Sequence, residues 1–251
     1  MAAITRISAL RALFLTLDCI ITATVVYTVA TDGLPFRREL LTPWMAATLV
    51  DFYITVAAIA VWIAFKESSW ISTCIWIILL ICLGSITTCT YVVLQLFSFS
   101  SQDSRQDPVY HVLQHHNVRQ VKTLLRVSEQ SKFHCVVVGR IIFSILGFLM
   151  LATLIYTILT DGSPFRRELL TPWLTATLID FYVNVVAVAV WVAHKETTWI
   201  GAFIWILLLI CFGSVTTCVY IVRQLFKLSP EDPFSLIFGE PENKQVRSSP
   251  Y

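Results

Sequence analysis

Charge is what this sequence has least of. Only 14% of its 251 residues are Asp, Glu, Lys or Arg, where soluble domains carry about 25%. A soluble chain so poor in charge could not cover its surface. The formal net charge of +2 leaves nothing to hold a polyanion, so nucleic acid is excluded as a partner. The seven cysteines form no CxxC pair and are odd in number. Neither a disulfide framework nor a zinc site is indicated, and they read as small core residues. His111, His115 and His116 stand close together, but no Cys or acidic cluster completes a metal set. Nor is there a nucleophile–base pair or a phosphate-binding loop. No catalytic residue, metal or cofactor is therefore expected, and the chain is not read as an enzyme.

What is present is apolar length. Hydrophobic residues make up 57% of the chain, and mean hydropathy is +0.74. A bilayer core of about 30 Å needs roughly 20 apolar helical residues, and six stretches qualify: 12–30, 43–65, 70–97, 136–159, 172–193 and 198–226. The expected fold is all-α, a polytopic membrane bundle of six transmembrane helices, and the chain is expected to be a multi-pass integral membrane protein.

An internal repeat organises these stretches. TDGLPFRRELLTPW begins at Thr31 and TDGSPFRRELLTPW at Thr160, with 13 of 14 residues identical 129 positions apart. Across 31–66 and 160–195, 26 of 36 positions match. The chain therefore reads as two tandem three-helix repeats, 1–97 and 134–226. Between them lies a polar linker, 98–133, and after them a polar tail, 227–251, expected to be disordered. Within the linker, Asp107-Pro108 can open a helix whose Val118, Val121 and Leu125 share a face, an amphipathic surface helix or a solvated connector. The first 30 residues resemble a signal peptide, but their internal counterpart, 141–159, cannot be one, so a retained span is expected for both.

Thr42-Pro43-Trp44 and Thr171-Pro172-Trp173 read as N-cap, first helical residue and interface anchor. Arg11 and Arg140 can snorkel to headgroups. Three crossings per repeat would put the second repeat upside down, an inverted-topology arrangement. The eighteen Lys and Arg then divide evenly across the membrane, nine to a side, and fix no orientation.

The second stretch of each repeat holds a carboxylate. Asp51 lies eight residues past Pro43, about 12 Å into a helix at 1.5 Å per residue, and Asp180 is its copy. An Asp at that depth costs about 2.5–3.5 kcal/mol and often marks a transport path or proton relay. Thr48, Asp51 and Thr55 share one helical face, and the copy gives Thr177, Asp180 and Asn184. The third stretches add Gly84, Thr88, Tyr91 and Gln95, repeated as Gly213, Thr217, Tyr220 and Gln224. The expectation is an intramembrane polar site of Asp51, Asp180, Thr48, Thr177, Thr55, Asn184, Gln95 and Gln224, with the two carboxylates meeting near the bilayer middle. The alternative is that these stripes only glue helices together. In the loops, Arg37, Arg38, Arg166 and Arg167 are candidate interfacial contacts to lipid phosphate, to the adjacent Glu39 or to the Lys66-Glu67 junction of another module.

With TDG.PFRRELLTPW, DFY, the KE..W junctions and LLIC.GS.TTC on the page, the chain resembles a family of uncharacterised plant transmembrane proteins defined as a domain of unknown function. The likeness covers 11–97 and 140–226. It implies a plant source and a multi-pass membrane protein, and it brings no activity, cofactor or functional residue. The leading expectation is a small proton- or cation-linked transporter or channel-like protein. The alternative is a structural membrane scaffold. The expected partners are the lipid bilayer, a small ion or solute and a second copy of the chain.

Overall fold

The computed structural model describes residues 2–35, 37–98, 129–164 and 166–228. Among these residues the secondary structure is helical throughout: α1 (Ala2–Asp32), α2 (Pro43–Lys66), α3 (Trp70–Leu83), α4 (Ser85–Phe97), α5 (Glu129–Asp161), α6 (Pro172–Lys195), α7 (Trp199–Phe212) and α8 (Ser214–Lys227). Short 3-10 turns, Arg38–Leu40 and Arg167–Leu169, lie in the two repeated loops. The expected amphipathic helix at 108–126 and the tail from 229 fall outside the described residues. α5 starts inside the expected linker, at Glu129.

The starts of α2 and α6 follow from local chemistry. Thr42 Oγ1 accepts from Met45 N at 3.2 Å, and Thr171 Oγ1 from Leu174 N at 3.2 Å. Proline fills the first helical position after each, where its missing N–H costs nothing. Among the described residues, α1, α2, α5 and α6 contain the four helices long and apolar enough to cross a membrane, the mark of a membrane protein.

The third and sixth apolar stretches are not single spans. Each breaks at a glycine, Gly84 (φ +57°) and Gly213 (φ +52°), and folds back as a helical hairpin. Residues 15 apart in a continuous helix would be about 22 Å apart along its axis. Instead the rings of Trp76 and Tyr91 lie 5.0 Å apart, as do those of Trp205 and Tyr220. Thr216 Oγ1 donates across the second hairpin to Leu208 O at 2.9 Å. α4 thus returns to where α3 began: Tyr91 Oη donates to Glu67, at the α2–α3 junction, at 2.8 Å. The expected six spans become four long helices and two hairpins.

The hairpins overturn the inverted repeat as well. α1 and α2 run in opposite directions and the hairpin returns to the end of the bundle at which it began, so the second repeat starts at the same end as the first. Both repeated loops then lie at one end of the bundle. Trp173 Nε1 donates to Gly33 O at 3.2 Å, and Met45, Trp173 and Leu174 share a cluster with Leu40 and Leu169 of the two 3-10 turns. The repeats are parallel, related by an axis along the bundle.

That axis runs between α2 and α6, which pack together, while α1 packs on α4 and α6, and α5 on α8 and α2. The core includes Ile63, Tyr91, Val192 and Tyr220. α3 and α7 stand outermost, with only Leu80 and Leu209 buried. Trp70 and Trp199, which open them, are 82% and 94% exposed.

Candidate functional site: two cross-capped hairpin tips

A helix that starts in mid-bundle leaves its first N–H groups without partners in its own turn. α4 and α8 start at the hairpin tips, and a carboxylate from the opposite module meets each. Ser85 N donates to Asp180 Oδ1 at 2.8 Å, and the Ser85 hydroxyl donates to the same oxygen. Ser214 N donates to Asp51 Oδ1 at 2.8 Å. The positive end of the helix dipole adds to each attraction.

The glycines make this approach possible. A Cβ on Gly84 would strike the Asp180 carboxylate and stand 2.8 Å from Phe52 Cζ. One on Gly213 would strike Asp51 and stand 2.6 Å from Phe181 Cζ. The backbone at each, with ψ near −128° and −123°, is one that glycine alone adopts readily.

The structure divides the expected site. Asp51 and Asp180 each bind the opposite tip rather than each other. Thr48 and Thr177 turn their hydroxyls to their own helix, on Trp44 O at 2.8 Å and Trp173 O at 2.9 Å. Thr55 does the same on Asp51 O at 3.2 Å. Such back-bonding satisfies a hydroxyl without reaching a neighbour. Asn184 does cross the module boundary: its Oδ1 accepts from Thr88 Oγ1 at 2.7 Å. Its counterpart in the first module is Thr55, and Thr217 bonds within its own helix instead, to Gly213 O at 3.3 Å.

Gln95 and Gln224 belong to another cluster. They lie one turn beyond Tyr91 and Tyr220 on α4 and α8, about 15 Å along the helix from the tips. There Glu67 joins Tyr91 and Ser72 at 2.8 and 2.7 Å, and Glu196 joins Tyr220 and Arg223 at 3.1 and 2.8 Å. Arg11 and Arg140 do more than snorkel. They cap hairpin C-termini, Arg11 on Leu96 O at 2.5 Å and Arg140 on Leu225 O at 2.8 Å, and stack over Phe97 and Phe226.

In the loops, Arg37 pairs with Asp32 at 2.6 Å and Arg166 with Asp161 at 2.8 Å, partners that the sequence reading passed over. Arg38 is exposed, as is Glu39. Arg167 lies in the second 3-10 turn. The Lys66-Glu67 junction is at the opposite end of the bundle, so it cannot receive either loop within the chain. Among the described residues, no group of three or more His, Cys, Asp or Glu could hold a metal ion.

Ser85, Ser214, Glu67 and Glu196 were missed in the sequence. The signal for the serines was the Gly-Ser pair recurring at the same register inside two apolar runs, a turn signature.

Comparison with known families adds one finding. The model of a protein family of unknown function, DUF1475, matches residues 4–120 and again 122–245. The chain belongs to this family. No curated protein and no solved structure matches it. Each DUF1475 match contains one long-helix pair and one hairpin, so each carries both a capping Asp and a tip to be capped.

Proposed function

We propose that this DUF1475 protein is a small multi-pass membrane transporter or channel-like protein whose working site is the pair of hairpin tips held by Asp51 and Asp180. A proton or small cation would be the species that competes with the tips for the carboxylates. The observation that supports this most directly is the cross-capping itself. Broken helices at bilayer depth occur where they are buried in protein or line a path, and their termini serve as ion and substrate sites in transporters. Two hairpins, each held by a charge on the other module, are elements that a change of charge can release.

Charge also suggests an orientation. Arg6, Arg11, Lys66, Lys132, Arg140, Lys195, Arg223 and Lys227 stand toward the hairpin-junction end, against Arg37, Arg38, Arg166 and Arg167 at the loop end. Six more Lys and Arg lie in 98–128 and 229–251, segments attached at the junction end. The even division expected for an inverted repeat gives way to a strong bias, and the positive-inside rule puts the junction end in the cytoplasm.

The test is flux through the purified protein in liposomes, read with a pH-sensitive dye and with monovalent-cation tracers. Asp51→Asn with Asp180→Asn retains an acceptor for each serine N–H but removes the charge. Flux falling to that of protein-free liposomes supports the reading. Full flux in the double variant, or none in the wild type, overturns it.

A second reading, a structural scaffold without transport, draws on a specific energetic match. Hydrogen bonds to a charged group are worth about 1.5–3 kcal/mol each, enough for the two that Asp180 accepts from Ser85 to offset an Asp insertion cost of about 2.5–3.5 kcal/mol. The loops sharing one end would then be the binding surface. Charge reversal at Arg37 and Arg38 would abolish partner capture in that case, while Asp51→Asn would leave it intact.

A further inference from the structure

Two guanidiniums at the junction end stand in matching places without a carboxylate partner. Arg11 on α1 donates to Leu96 O at 2.5 Å and lies 4.6 Å over the Phe97 ring. Arg140 on α5 donates to Leu225 O and Leu228 O, at 2.8 and 3.0 Å, and lies 4.7 Å over the Phe226 ring. Neither is in an ion pair among the described residues. Glu67 and Glu196, at the same end, are held by Tyr91, Ser72, Tyr220 and Arg223. A helix C-terminus supplies about half a negative charge, so each cation keeps about half of its own uncompensated.

The lengths of α1 and α5 set their depth. Arg11 is 21 residues from Asp32, and Arg140 is 21 from Asp161, about 31 Å at 1.5 Å per residue. Asp32 and Asp161 pair with Arg37 and Arg166 of the repeated loops, which marks one water boundary. A hydrocarbon core of about 30 Å then puts both arginines at the other boundary, level with lipid phosphate. The rings under them face outward, Phe97 57% and Phe226 67% exposed, where acyl chains lie.

We infer that Arg11 and Arg140 are two headgroup sites for anionic phospholipid, one in each module. The guanidinium takes the phosphate, and the exposed ring takes the first carbons of the chain. Arg6 and Lys227 stand exposed at the same end. Their charge attracts a net negative headgroup and repels the ammonium of choline. A site at this depth, floored by an exposed ring, suits a phosphate tethered to a chain, so the source is lipid and not free phosphate. The inference rests on the two arginines and the helices that carry them, and not on the transport reading.

The experiment titrates the full chain in detergent with dioleoyl phosphatidylglycerol or dioleoyl phosphatidylcholine and weighs it with its lipids by native mass spectrometry. Two phosphatidylglycerols per chain, bound in preference to phosphatidylcholine, are the expected result. Arg11→Gln keeps an N–H for Leu96 O and removes the charge, and Arg140→Gln does the same for Leu225 O. Each should raise the half-saturating phosphatidylglycerol concentration at one site by about fivefold, the worth of one cation beside anionic lipid, and leave phosphatidylcholine unaffected. Together they should abolish the preference. Arg37→Gln with Arg38→Gln, at the loop end, should retain it. So should Asp51→Asn with Asp180→Asn, which separates this inference from the flux test. Equal binding of the two lipids by the wild type overturns the inference without requiring any variant to fold. Unaltered phosphatidylglycerol binding in the Gln variants also overturns it. So does displacement of the lipid by excess inorganic phosphate, because the ligand would then be a soluble anion.

Discussion

Asp51 and Ser214 lie 163 positions apart in the chain and meet at 2.8 Å, the carboxylate of one module on the first backbone N–H of the other module's returning helix. Replacing the acceptor orphans a buried donor. Asp51→Ala and Asp180→Ala should each lower stability by about 1–3 kcal/mol, with Asn costing less because it still accepts. Thermal unfolding in detergent would show it. Asp180→Ala should cost more than Asp51→Ala, since Ser85 contributes its hydroxyl as well.

The glycines offer a sharper contrast. Gly33 and Gly162 also have positive φ, at +76°, but an added Cβ meets nothing within 4 Å. Alanine there should cost about 1–2 kcal/mol, the backbone penalty alone. At Gly84 or Gly213 the Cβ collides with a carboxylate and a phenylalanine ring, so alanine should cost well over that and reduce the yield of monodisperse protein. Equal losses at all four sites in size-exclusion profiles would contradict the cross-capped tip.

Sidedness is the next measurement. With the native cysteines removed, Leu34→Cys and Ser163→Cys should react with an impermeant thiol reagent from the same side of sealed vesicles, the side away from the cytoplasm. Both positions are exposed in the structure. Reaction from opposite sides would restore the inverted repeat.

At the junction end the two modules differ by one cation. Glu196 holds Tyr220 and also Arg223, whereas Glu67 holds Tyr91 and Ser72. Tyr91→Phe should therefore destabilise more than Tyr220→Phe, by an amount within the roughly 1.5–3 kcal/mol worth of a hydrogen bond to a charged group. A larger loss from Tyr220→Phe in chemical denaturation would count against these pairings.

Helix starts and the repeat were legible in the sequence because they rest on local signals, Thr-Pro-Trp and a fixed 129-residue offset. The hairpins were not, since hydropathy is blind to the sign of φ: LLIC.GS.TTC reads as one apolar run whether Gly84 continues the helix or reverses it. The expectation of three crossings per repeat followed from that single residue type. Three crossings gave an inverted repeat, and the inversion spread the arginines evenly. Asp51 and Asp180 were singled out by depth and cost, and the structure sets each on the opposite hairpin tip rather than beside the other. Their partners escaped because a capping serine from 95 or 163 positions away leaves no periodic trace, and Thr48, Thr55 and Thr177, which do share their helical face, bond their own backbone.

The exchange of caps imposes an order on biogenesis. When Ser214 leaves the ribosome, Asp51 is already in place. Ser85 must wait for Asp180, 95 residues further on, which at about 5–20 residues per second is roughly 5–20 s. For that interval the first hairpin sits in the translocon or bilayer with bare N–H groups at its tip. A chain interrupted before Asp180 would keep them bare, a defect open to membrane quality control. The newborn first half is thus a client of its own unfinished sequel.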